Sequence, residues 1–151
     1  MIVSLEIPSL MKSLQIGLFL SFLVSVSFAQ ESYLLVSSGG GVAGTATVYK
    51  ITRDGKVMKG QGLGEIAYTE ESKLKKCATK KYFKGAKAVL ESSPDFIHPG
   101  NMYSSLALND EGKESRITWG HAEYPAPEEA RKLYSKINTA MSRLTFSPGS
   151  H

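Results

Sequence analysis

At 151 residues the chain has the size of one small domain, and its single cysteine, Cys77, leaves no intrachain disulfide to form, so packing must hold the fold. A net charge of +4 and a pI near 9.1 are modest. The basic cluster is lysine without arginine and has few interleaved aromatics, which argues against a nucleic-acid partner.

The N-terminal part has the order of an export signal: Met11-Lys12 as a short basic start, an apolar run from Leu14 to Phe28, and Ser27-Phe28-Ala29 as a small-x-small cleavage site. Met1 to Leu10 carries Glu6 and no basic residue, so Met11 is the expected start. The apolar run is too short to cross about 30 Å of hydrocarbon as a mature helix, and no second span follows. No cysteine stands at the cleavage point, against lipid anchoring. The expected organisation is an extension and cleavable signal peptide over 1–29, one domain over 30–146, and a disordered tail over 147–151. The expected location is periplasmic or secreted.

Tyr33-Leu34-Leu35-Val36 reads as a first strand, ended by Ser37-Ser38-Gly39-Gly40-Gly41-Val42-Ala43-Gly44. That glycine stretch is either a conformational device or a surface a ligand can approach. A β-rich run over 46–51 closes at the hairpin dipeptide Asp54-Gly55, and Lys56-Val57-Met58-Lys59 suggests a short return. Gly60-Gln61-Gly62-Leu63-Gly64 reads as a connector because alternate glycines weaken a strand.

Thr69 with Glu70 and Glu71 has the composition of a helix start, and the helix is expected to run to about Ala88. Leu74, Cys77, Ala78, Tyr82 and Ala86 would form its buried stripe, widened by Phe83. Cys77 is thus expected in the core. The lysines, among them Lys76, Lys80 and Lys84, would form a basic face, either simply solvated or docking on an anionic partner.

After a rigid loop over 94–101, Met102 to Leu108 alternates, Asn109-Asp110-Glu111-Gly112 supplies a turn, and Ser115, Ile117 and Trp119 return. Pro125-Ala126-Pro127-Glu128-Glu129 starts a helix whose stripe is Ala130, Leu133, Tyr134, Ile137, Met141 and Leu144. The predicted fold is α+β in β-β-α-β-β-α order: about four antiparallel strands in two hairpins, with two helices on one face.

No catalytic set emerges. A phosphate loop needs a helix after its glycines, whereas a strand follows Gly44. His98 and His121, with Asp95 or Glu123, lack a metal-ligand spacing, and no Ser or Cys has a recognisable base and orienting acid. The expectation is therefore no enzyme, no metal and no cofactor.

With these elements placed, the chain resembles the emfourin family, small proteinaceous inhibitors of thermolysin-like metallopeptidases. Ser38-Gly39-Gly40-Gly41-Val42-Ala43-Gly44 is similar to that family's Ser-Gly-Gly-Phe-Ala-Gly stretch, with one extra glycine and Val42 at the aromatic position. Pro94-Asp95, the hairpin containing Tyr103, the Arg116 to Trp119 strand and the helix from Pro127 also match. The pattern is similar, too, to small exported proteins of the Bacteroidota, a resemblance that implies no activity. The emfourin resemblance implies a monomeric inhibitor that contacts a peptidase through Ser38 to Gly44. The alternative is an envelope-associated interaction module docking through the lysine-rich helix.

Overall fold

The computed structural model describes residues 31–149, so the signal-peptide reading over 1–29 lies outside the described residues, as do the last two residues of the tail. The elements in chain order are β1 (Tyr33–Gly40), β2 (Ala46–Thr52), β3 (Lys56–Gly62), β4 (Ala67–Lys73), α1 (Lys76–Ser92), β5 (Ile97–His98), β6 (Met102–Asp110), β7 (Lys113–Trp119), α2 (Glu128–Ser142) and β8 (Ser147–Pro148). All eight strands share one sheet in the order β5-β7-β6-β1-β2-β3-β4-β8. Neighbours are antiparallel except β5 and β7, which run parallel, so the sheet is mixed. The fold is α+β, but the expected four-stranded sheet in β-β-α-β-β-α order is wrong.

Two sequence signals concealed the extra strands. Of the alternating glycines that read as a connector, Gly64 lies in the β3–β4 loop, but Gly60 and Gly62 belong to β3, where they permit close backbone approach: a Cβ on Gly62 would lie 1.8 Å from the Glu65 carbonyl oxygen, and one on Gly60 2.7 Å from that of Ala67. The Thr69-Glu70-Glu71 group that reads as a helix start lies in β4. There Glu70 accepts from Lys59 at 3.0 Å and Glu71 pairs with Lys56 at 2.8 Å, so the acids answer lysines on the neighbouring strand rather than a helix dipole.

Helix α1 therefore starts at Lys76 and continues through Ser92. Its buried stripe is Thr79, Tyr82, Phe83, Ala86, Val89 and Leu90, and Cys77 faces solvent. The expected burial of Cys77 is corrected: the stripe runs back from Tyr82 and Phe83 to Thr79, and Cys77, two positions earlier, falls on the solvent side of the helix. The tail expected to fray from Ser147 is instead paired at Ser147–Pro148 with β4, and the Gly149 amide donates to the Thr69 carbonyl at 2.8 Å.

The β6–β7 hairpin follows its sequence pattern. Leu106 stands opposite Ile117 and Ser104 opposite Trp119, and Asn109 Oδ1 accepts from the Gly112 amide at 3.1 Å across the turn. Helix α2 opens after Pro127 with Glu128 and Glu129 in its first turn, the acids that its positive end favours.

One sheet face supplies Leu34, Val36, Ile51, Val57, Leu106, Leu108 and Ile117 to a core completed by residues of both helices, including Phe83, Leu90, Ile137 and Met141. The opposite face carries the buried Ser37, Ala46, Val48, Ser105, Ala107 and Thr118, with Thr118 Oγ1 at 3.3 Å from Ser105 Oγ. The edge strands β5 and β8 have two residues each and pair only with Thr118–Trp119 of β7 and Glu70–Glu71 of β4.

Candidate functional site

The glycine stretch divides into two parts. Ser38, Gly39 and Gly40 close β1; Ser38 and Gly39 are flanked by β2 and β6, and Gly40 pairs with β6 alone. Gly39 is buried, with the Tyr103 hydroxyl where its Cβ would reach 2.8 Å. Gly40 has φ 108°, and a Cβ there would meet the Asn101 carbonyl oxygen at 1.9 Å, which only glycine avoids. Gly41 to Thr45 then form the β1–β2 connection.

This connection is anchored rather than loose. The Gly41 amide donates to the Asn101 carbonyl at 2.8 Å, and the Gly44 amide donates to the Gly41 carbonyl at 3.1 Å, closing a turn around Val42 and Ala43. Val42 at its tip is 109% exposed, as open as an isolated residue. Two more apolar side chains flank it. Met102, at the start of β6, puts Sδ 3.5 Å from the Cβ position of Gly41, and Leu63, in the β3–β4 loop, puts Cδ2 3.7 Å from that of Gly44. Both are exposed, so Leu63, Val42 and Met102 form an apolar ridge along one end of the sheet.

Sequence reasoning missed Leu63 and Met102 as members of this group. Leu63 carried a signal, being a large apolar residue inside a glycine-rich turn; Met102 carried none, since its alternation with Leu106 and Leu108 read as core-facing.

Beside the ridge, the structure brings together two histidines that the sequence left apart. The His98 ring stacks on Tyr124 at 4.1 Å and 10°, His121 lies 5.3 Å from the same ring, and the His121 amide donates to the His98 carbonyl at 3.1 Å. Phe96 meets His98 edge-on at 4.7 Å. No group of three or more metal-ligating side chains gathers among the described residues. Trp119 is half-buried, packs against the core and meets Tyr134 edge-on at 5.2 Å, while Tyr134 Oη donates to the Ser37 carbonyl at 3.2 Å.

At the other end of the sheet, Lys80 and Lys84 face solvent from α1 together with Lys76, Lys81 and Lys87. Arg53, in the β2–β3 turn, donates to Asp110 at 2.6 Å and lies 5.1 Å above the Phe83 ring. The Arg53 guanidinium, with Ser32 Oγ as second donor, holds the Asp110 carboxyl below the usual range. No helix among the described residues is long and apolar enough to cross a membrane. Compared with family models and with curated proteins, the chain matches none.

Proposed function

We propose that the chain is an exported, monomeric, non-enzymatic domain that binds another protein by presenting Val42 and its neighbours to a cleft. The observation that carries this reading is the pairing of full exposure at Val42 with a pinned backbone beneath it. A binding loop that is already ordered avoids the entropy loss of fixing itself on association. An apolar tip held in that way also gains area removed from water when a partner covers it, at roughly 25 cal/mol per Å2.

The emfourin resemblance names the class of partner, a thermolysin-like metallopeptidase. In this version Gly41, Val42, Ala43 and Gly44 make the contact, Leu63 and Met102 extend it on both flanks, and Ser38, Gly39 and Gly40 hold the loop in place. The assay is inhibition by the purified chain across several secreted thermolysin-like peptidases. Dose-dependent inhibition is expected for at least one of them. No inhibition of any member at micromolar concentration removes the peptidase as partner.

A further inference from the structure

We propose that the sheet end opposite the glycine loop carries a second interaction surface, a basic groove with an apolar floor that takes an extended acidic protein segment bearing apolar side chains.

Two adjoining depressions, of about 310 and 390 Å3, share Lys87, Leu108 and Asp110. Their cations come from separate parts of the chain: Lys80, Lys84 and Lys87 from α1, Arg53 from the β2–β3 turn, and Lys113 from the start of β7. Asp110 and Glu91 are the carboxylates of the lining. Asp110 is already engaged by Arg53 and Ser32, so it contributes little free negative charge. Lys80, Lys84 and Lys87 make no ion pair among the described residues. Phe83, Leu90 and Leu108 reach the floor between them.

The spacing and shape choose among anions. Positions 80, 84 and 87 lie on one helix stripe and span about 10 Å at 1.5 Å per residue. Alternate residues of an extended chain are about 6.6 Å apart, close to the rise of about 6 Å from Lys80 to Lys84, so acids at every second position meet those two lysines, with Lys87 within side-chain reach of the next, while the residues between them turn toward the floor. A bilayer presents a plane to what is here a concave lining, and a phosphate polymer offers nothing apolar to Phe83, Leu90 and Leu108. Lys76, on the same stripe but outside the lining, adds only long-range attraction.

The experiment is fluorescence anisotropy of a short labelled peptide alternating Glu with Leu, titrated with the chain. Polyglutamate and phosphatidylglycerol vesicles serve as comparison ligands. The peptide is expected to bind, and the double variant Lys84→Glu, Lys87→Glu is expected to weaken it roughly tenfold. A double variant with the same charge change outside the groove, Lys81→Glu, Lys136→Glu, is expected to stay within about twofold. All four residues are exposed, and Lys84→Gln with Lys87→Gln repeats the test without introducing acids next to Asp110. Equal losses in the two charge-reversed variants would reduce the effect to net charge and overturn the groove. Failure of the peptide to bind would overturn it too, as would polyglutamate or the vesicles binding as well as the peptide does.

Discussion

The amide of Gly41 and the carbonyl of Asn101, sixty residues apart in sequence, are joined at 2.8 Å, and that bond fixes where the β1–β2 loop leaves the sheet. Asn101 immediately precedes β6, so the loop takes its position from a strand that pairs with β1 rather than from the hairpin to which it belongs.

The close approach at this joint gives the first prediction. Gly40→Ala places a methyl against the Asn101 carbonyl in a left-handed backbone and is expected to destabilise the chain by at least about 2 kcal/mol. Gly64→Ala has a comparable φ of 89° but meets nothing within 4 Å, so only the backbone strain remains, about 1 kcal/mol. Denaturant unfolding of both variants checks the contrast. Equal losses would mean that the joint tolerates the methyl.

Core and surface should separate cleanly on the helices. Ile137 of α2 is fully buried, and Ile137→Ala is expected to lose about 2–4 kcal/mol. Cys77→Ser is expected to change stability by less than about 0.5 kcal/mol, because the thiol is exposed. A thiol reagent should modify the native chain about as readily as the unfolded one. Protection of the thiol in the native state would restore the buried stripe that the sequence implied.

Much of the fold was legible where local and tertiary preferences agree. Leu106, Leu108 and Ile117 alternate around a turn-forming sequence, and the stripe from Ala130 to Met141 keeps helical spacing, so β6, β7 and α2 could be read directly. Strand β4 was not legible, because Thr69-Glu70-Glu71 is as good a helix start as a strand. What holds it as a strand is the ladder to β3, in which Lys59, eleven residues away, stands opposite Glu70. The candidate site was half legible for the same reason. The glycines marked the loop, but only sheet register brings Leu63 and Met102 to its two sides, and only the parallel pairing of β5 with β7, together with the β7–α2 connection, brings His98 and His121 to Tyr124.

Acid should unfold the chain partly through two turn carboxylates. Asp54 is held below its ordinary range mainly by the Thr52 hydroxyl and then by the Lys56 amide, and Asp110 mainly by Arg53 and then by Ser32. A carboxyl whose folded pKa is depressed contributes stability above its unfolded value, near 3.9, and loses it as pH falls through the folded value. The denaturant midpoint is therefore expected to be flat above about pH 5 and to drop below about pH 4. In Asp110→Asn the drop should be shallower; an unchanged acid limb would show that the Arg53 contact does not favour the folded state.

If Val42, on its pinned loop, makes the partner contact, a charge at that tip must disrupt it. The direct measurement is peptidase inhibition by Val42→Asp beside the parent chain, with unfolding of both followed in parallel. Val42 is fully exposed, so stability should stay within about 0.5 kcal/mol while inhibition weakens by at least tenfold. Unchanged inhibition by Val42→Asp would contradict a contact through the loop tip.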